Sequence, residues 1–464
     1  MKKKVAVIGG GITGLTAAFR LKQAGHEVTL FEAGDVAGGV IRSVERDGWL
    51  AECGPNTMLE TSAAITRLVE DEDLGIADRR RDASPLGGTR FILKKGKPMM
   101  LPSSAAGFLK TKLFSFSAKL ALAAEPFRSR LPPDAAEESL ADFVRRRLGQ
   151  EFLDYAINPF VAGVYAGDPE NLSVKFGFPK LYALEQKYGS MIKGQILGAR
   201  QRRKEGRVTK DRAKQLSFDG GLQVLTDALA NNLQGRLRLG NEVTSIGKTE
   251  DGRWSIQSNK GVVVDFFDDV ILALPAHRLA TLIFPYSGEG KGAEQPLKAL
   301  AEIVYPPVSS VVLGFRREQV EHSLNGFGTL NPEVEKVSTL GTLFTSSLFP
   351  ERAPEGHVLL TTYVGGARSP ELALKPEGER VELVLKDLCS IYGIKGAPVF
   401  QHSFLYKKAI PQYEVGYGRF LQVMEDFEAG HSGIHLAGHC RDGISLADSI
   451  VSGEKVVEKI LQPG

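Results

Sequence analysis

The chain has 464 residues, more than one hydrophobic core usually supports, so two or three domains are expected. Its 42% hydrophobic and 24% charged residues are ordinary for a globular protein, and a net charge of +3 is too mild to argue for nucleic acid. Cys53, Cys389 and Cys440 are scattered, with neither a disulfide framework nor metal-ligand spacing, which fits a reducing compartment and the cytosol by default. No cleavable apolar segment precedes the first predicted strand. No window reaches the roughly 18 apolar residues of a membrane-spanning helix, so any membrane contact is expected to be peripheral.

The first elements follow at once. "VAVIG" from Val5 is an apolar run suited to a buried parallel strand, and "ITGLTAAFRLKQAG" switches to helical spacing with Leu15, Ala18 and Phe19 on one face. Between them, Gly9, Gly11 and Gly14 fit G-x-G-x-x-G. The first glycine permits the tight turn, the second lets backbone approach a pyrophosphate, and the third lets helix pack on strand. The helix N-terminus offers unpaired N–H groups to phosphate. Gly25 ends the helix, "HEVTLFE" gives a second strand, and Glu32 closes it where an acid accepts from a ribose 2′-hydroxyl, which disfavours a 2′-phosphorylated cofactor. These features predict a dinucleotide site, but the fingerprint alone leaves NAD and FAD open.

The next residues separate the two. "AGDVAGGVIRSVERDGWLAECGPN" adds a second glycine pair, Gly38 and Gly39, then Arg42, a strand-like "WLAEC" and Gly54-Pro55. A nicotinamide dehydrogenase has no use for a second glycine turn and an arginine here; a longer cofactor does. At the far end, "GIHLAGHCRDGISLADSIVSGEKVVEKI" reads as strand, Gly438, Asp442-Gly443 and helix. With these segments the chain resembles the flavin amine oxidase superfamily. The resemblance implies noncovalent FAD, with Gly9, Gly11, Gly14, Glu32, Gly38, Gly39, Arg42 and Asp442 around it and the backbone of Val243 at the adenine. It also implies a packing role for Cys440 and one FAD-binding domain that holds both chain ends.

The middle of the chain carries other signals. "GEGKG" at 288–292 follows no buried strand and reads as a loop, and no close cysteine pair is present, so neither a second nucleotide site nor a dithiol relay is expected. That favours an oxidase or dehydrogenase acting on an organic substrate. Residues 108–131 and the run 193–214 combine basic and apolar residues, and the first suits an amphipathic helix; the second stretch "ESLADFVRRRLGQEFLDYAINPF" continues in helical spacing. His435 and His439 straddle a strand end and are not read as metal ligands; no metal site is expected.

"NPFVAGVYAGDPENLSVKFGFPKLY" at 158–182 and "AIPQYEVG" at 409–416 resemble the protoporphyrinogen oxidase branch of that superfamily. "SFDGGLQVLTDAL" and "VILALPAH" fall in the same order, so the resemblance spans nearly the whole chain. Two positions depart from it: Gly416-Tyr417 stands where members commonly have Gly-His, and the last helix opens on Ile444, Ser445, Leu446, Ala447 and Asp448.

The branch implies oxidation of protoporphyrinogen IX, or of coproporphyrinogen III, by flavin and O2, with no acid–base constellation of catalytic side chains. It implies Arg90 at a propionate, Phe327 and Leu330 as apolar walls, and Gly163 where backbone approaches the tetrapyrrole. Arg90 can equally be a surface residue on an edge strand, and Phe327 and Leu330 core residues. The implied fold is α/β: an FAD-binding Rossmann-like domain (1–84, 206–290, 409–464), a mixed-sheet substrate domain (85–99, 291–408) and an inserted helical, membrane-facing domain (100–205). The implied setting is the inner face of the cell membrane, with hand-over to the next haem-pathway enzyme and a homodimer left open. An amine oxidase, a carotenoid-type desaturase and a flavin-free binding module are the rival readings.

Overall fold

Val5, Ala6 and Val7 and their neighbours Val270, Ile271 and Leu272 are wholly buried, as strands covered on both faces must be. They form the centre of a five-stranded parallel sheet in the computed structural model, whose order is Leu237–Arg238, Glu27–Phe31, Lys4–Ile8, Asp269–Leu272 and Ile434–Leu436. Residues 2–132, 135–204, 213–285 and 294–462 are described, without the side chains of 199–204 and 262–264. The loop at 288–292 and residues 205–212 of the basic run lie outside the described residues.

The two chain ends share this sheet, as expected. Helix Ile12–Gln23 packs on helix Leu446–Leu461 so closely that a Cβ on Gly453 would lie 2.6 Å from the Thr13 carbonyl oxygen. Arg20 ties the pair to its surroundings through Glu454 at 3.1 Å and Asp71 at 2.6 Å.

A second, mixed sheet has seven strands, in the order Phe400–Tyr406, Val308–Arg316, His357–Gly365, Thr339–Leu343, Gly328–Leu330, Arg90–Lys94 and Lys97–Met100. One pair, Arg90–Lys94 with Gly328–Leu330, is parallel, and the others are antiparallel. Arg90 therefore does not sit on an edge strand: Lys97–Met100 is the edge, and the Arg90 strand is hydrogen-bonded on both sides. Helix Glu377–Tyr392 covers one face with Val384 and Leu388 against Leu313, Phe315 and Leu360.

Between the edge strand and strand Gln215–Phe218 the described residues form helices and turns. The single helix expected over 108–131 is three pieces, Ala105–Lys110, Phe116–Ala123 and a turn at Glu125–Phe127. Ser115 restarts the chain as an N-cap, its hydroxyl accepting from the Ala118 N–H, and Pro126 tightens the last turn. The next stretch breaks likewise: helix Leu140–Arg147 stops at Gly149, which is left-handed at φ +94°, and a π-turn at Leu153–Ile157 leads into helix Asn158–Tyr165.

These short helices converge on a buried ion pair. Arg147 and Glu125, both fully buried, are hydrogen-bonded, and Glu125 also accepts from the Ser190 hydroxyl at 2.6 Å and from the Met191 and Ile192 N–H groups. Burial pushes the Glu125 carboxyl up, but those donors outweigh it and hold the group below its ordinary range. Its contribution to stability is full above the ordinary glutamate pKa of about 4.3 and fades as pH falls through the lowered value. Arg147→Ala, which leaves the carboxylate buried and unpaired, is expected to cost about 3 kcal/mol in urea unfolding at neutral pH. A loss below about 1 kcal/mol would show that the pair does not hold the helices.

Candidate cofactor and substrate site

The glycine turn after strand Lys4–Ile8 is shaped by what its missing side chains would hit. A Cβ on Gly9 would lie 2.4 Å from the Ala273 oxygen, and one on Gly14 1.9 Å from the Gly9 oxygen, so turn and helix close only on glycine. At Gly11 a Cβ meets no protein atom within 4 Å. Gly11 thus leaves open space at the N-terminus of helix Ile12–Gln23, the end of such a helix at which a pyrophosphate can be received. This open cradle is the observation on which the residues fit FAD.

The second glycine turn lies directly on the first. The Gly38 N–H donates to the Gly10 oxygen at 2.7 Å, and a Cβ on Gly39 would sit 3.2 Å from the Gly11 Cα. Arg42 fixes this turn from below, donating to the Val36 and Ala37 oxygens at 3.0 and 3.1 Å. Glu32 accepts from the Gly10 and Gly34 N–H groups, each at 2.7 Å, which orients its carboxylate at the end of strand Glu27–Phe31 with lone pairs to spare for a ribose hydroxyl. Its own carbonyl oxygen accepts from the Asn241 N–H at 2.8 Å, two residues before Val243, where the ladder of strand Val243–Lys248 is interrupted by a bulge.

The C-terminal segment closes the same edge of the sheet. The Gly438 N–H donates to the Ser452 hydroxyl at 2.8 Å, and that hydroxyl donates to Asp442 at 2.5 Å. Tyr413 and Tyr417 stack at 4.3 Å and donate their hydroxyls to the His439 and Cys440 carbonyls, each at 2.6 Å. Tyr417 is the departure from the Gly-His pattern, and here it is fully used in holding the loop. The pair is buried with its hydroxyls tied back, unlike an aromatic pair that faces a substrate amine. Burial raises the Cys440 thiol to about 12, so it stays a neutral packing group. Sequence reasoning quoted the Pro-Gln-Tyr motif but missed these hydroxyl bonds, whose partners lie over 20 residues away.

The four residues expected at a substrate come together beside the parallel strand pair. Arg90 pairs in register with Gly328, and its guanidinium lies 5.5 Å from the centre of the Phe327 ring. Leu330, two residues on, reaches across to helix Asn158–Tyr165, where a Cβ on Gly163 would fall 2.4 Å from its side chain. A side chain at 163 would have to displace the Leu330 methyl, so Leu330 and position 163 share one contact. Phe160, Gly163 and Val164, one face of that helix, are exposed. The two branch motifs also touch: Gln412 donates to the Tyr165 oxygen at 3.0 Å, and Ser173 to the Tyr413 oxygen at 2.8 Å.

One further residue links the two regions. Asn56, buried just past the Gly54-Pro55 turn, donates to the Tyr363 hydroxyl at 2.6 Å, and Tyr363 packs with Ala162, Ala166 and Leu340 beneath the exposed helix face. The Asn56 amide oxygen is buried with no hydrogen-bond partner among the described residues.

Comparison with known proteins identifies the family. The model of the flavin-containing amine oxidoreductase family matches residues 12–461. A mitochondrial protoporphyrinogen oxidase of Nicotiana tabacum is 36% identical, over 99% of this chain and 95% of its own length. A coproporphyrinogen III oxidase of Bacillus subtilis is 31% identical, over 99% and 98%. A crystal structure assigned as a protoporphyrinogen oxidase, from Exiguobacterium, superposes with a TM-score of 0.80 at 26% identity over 99% of both chains. The chain belongs to the flavin-containing amine oxidoreductase family, and within it to the branch of the protoporphyrinogen and coproporphyrinogen oxidases. It is an FAD-dependent oxidoreductase.

Because Gly11 faces no protein atom, Gly11→Val is expected to leave the flavin-free fold unchanged by circular dichroism and to cut bound FAD at least about tenfold. Full flavin content in the variant would remove Gly11 from the cofactor site.

Proposed function

We propose that the chain oxidises protoporphyrinogen IX to protoporphyrin IX, a six-electron reaction whose electrons pass through FAD to O2 and leave as peroxide. The observation that carries the reading is the joint placement of Arg90, Phe327, Leu330 and Gly163 beside the motif contact between Gln412 and Tyr165. FAD, when bound, accepts hydride from the substrate; the residues of this chain bind and orient. Arg90 makes no ion pair among the described residues, so its charge is available to a propionate carboxylate, while its stack on Phe327 sets its direction. Leu330 and the exposed face of Phe160 and Val164 offer the apolar surface that a tetrapyrrole needs. Glycines 9, 11, 14, 38 and 39, with Glu32, Arg42, Val243 and Asp442, serve the FAD, held without a covalent bond.

A second reading, coproporphyrinogen III as substrate, is favoured by the two bacterial relatives of that name, 31% and 28% identical over nearly their whole lengths.

We divide the chain into FAD-binding (1–84, 206–290, 409–464), substrate (85–99, 291–408) and helical (100–205) parts. The helical part is proposed as a membrane-facing surface: Leu109, Phe116, Leu120 and Phe127 are exposed, interleaved with exposed Lys110, Lys112 and Arg130. Among the described residues no helix is long and apolar enough to cross a bilayer. Peripheral attachment at the cytoplasmic face, hand-over of product to the next haem-pathway enzyme and assembly as a homodimer complete the proposal.

Protoporphyrinogen IX, coproporphyrinogen III and common amines supplied side by side are expected to give porphyrin fluorescence with a porphyrinogen and no turnover with amines. Amine oxidation without porphyrin would overturn the reading. Arg90→Ala is expected to raise KM at least about tenfold with FAD content unchanged; an unchanged KM would take Arg90 out of the substrate site.

A further inference from the structure

Three strand ends lie side by side at the carboxyl edge of the parallel sheet. Ile8 leads to Gly9, Leu272 to Ala273 and Leu436 to Ala437, joined by Ala273 N–H to the Ile8 oxygen at 2.8 Å and Ala437 N–H to the Leu272 oxygen at 3.1 Å. This is the edge at which such a sheet receives a dinucleotide. His439 stands two residues past Ala437, within the Gly438–Asp442 loop, and none of the roles described above uses its imidazole.

That ring is held with care. Its Nε2 is 3.2 Å from the Tyr305 hydroxyl, and its carbonyl oxygen accepts from Tyr413 at 2.6 Å. The Tyr305 oxygen already accepts from the Ala276 N–H at 3.1 Å, and Tyr305 is buried. Among the described residues its O–H has one acceptor within reach, His439 Nε2. Were the imidazole proton on Nε2, the phenol hydrogen would be buried without a partner, which costs more than the bond is worth. Tyr305 therefore donates to Nε2, and the ring proton lies on Nδ1. Burial keeps the imidazole neutral, lowering its pKa to about 4. Nδ1 itself makes no hydrogen bond among the described residues, so the loop presents one oriented N–H donor that protein does not use.

We propose that His439, in the tautomer fixed by Tyr305, donates its Nδ1–H to an oxygen of the bound FAD. His439 is then a cofactor-binding residue and Tyr305 a positioning residue for it. The assignment rests on the chain's holding FAD and not on which porphyrinogen it oxidises.

The test compares FAD release from the full-length holoenzyme, followed by recovery of flavin fluorescence on dilution. His439→Asn keeps an amide N–H where Nδ1 stands, His439→Leu keeps none, and both remove the Nε2 acceptor from Tyr305. A difference between them therefore reports on the Nδ1 position alone. His439→Leu is expected to weaken FAD about tenfold and His439→Asn to stay within about threefold of the parent. Tyr305→Phe, which frees the tautomer, is expected to fall between them, with the flavin-free melting temperature of His439→Leu matching that of His439→Asn. Equal FAD loss in the two His439 variants, or parental affinity in His439→Leu, would overturn the proposal. A parent chain that releases no FAD on denaturation would instead overturn the cofactor assignment itself.

Discussion

The hydrogen bond from the Gly38 N–H to the Gly10 oxygen is the constraint on which the rest of the site depends. It sets the second glycine turn on the first and leaves Gly11 facing open space between the strand ends. From there contacts run outward without a break. Gly54 abuts Val40 so closely that a Cβ would lie 2.3 Å from the Val40 oxygen, and Tyr406 donates to that same oxygen at 3.0 Å. Asn56 then reaches Tyr363 in the mixed sheet, and Tyr363 packs under the helix that carries Gly163. A shift of either glycine turn would travel along this path to the face on which Arg90 and Leu330 stand. In flavin oxidation the protein contributes chiefly position, so rigidity along such a path matters more than any single ionisable group.

A buried ion pair supports the same junction. Glu52 and Arg352, both fully buried, bond at 2.8 Å, and Glu52 also accepts from the Leu222 N–H while Arg352 donates to the Ser217 hydroxyl. Strand Trp49–Glu52, strand Gln215–Phe218 and the 350–352 turn are thereby tied through one ion pair. Removing either member would strand a charge, which makes the junction stiff rather than strong.

Much of the cofactor half was legible because local sequence dictates it. The change from apolar strand to helical spacing across Gly9, Gly11 and Gly14 leaves little alternative, and the strand and helix around Gly438 are as clear. The expected single helix over 108–131 failed for a local reason too, since Ser115 competes as a cap and Pro126 cannot continue a helix. What sequence could not show were partners distant along the chain. Arg90 stands on an interior strand because Gly328–Leu330 pairs with it from 238 positions away. Tyr417 looked like a deviation from a motif until its hydroxyl met the Cys440 carbonyl. His439 was read only as a poor metal ligand, since its meaning depends on Tyr305, 134 residues earlier. Nothing local marks Glu125 and Arg147, 22 residues apart, as partners, yet their ion pair is the centre of the helical part.

The central claim is that one cofactor edge and one apolar, arginine-tipped face serve a single reaction, electron transfer from a porphyrinogen to FAD. Anaerobic rapid mixing of the flavin-loaded chain with protoporphyrinogen IX, in a diode-array spectrophotometer, tests it most directly. The account predicts loss of oxidised-flavin absorbance before O2 is admitted, with two electrons taken per FAD, and the appearance of porphyrin absorbance once O2 is admitted and the remaining four electrons can leave through re-oxidised flavin. Oxidised flavin that persists in the presence of excess porphyrinogen, protoporphyrinogen IX and coproporphyrinogen III alike, would contradict it.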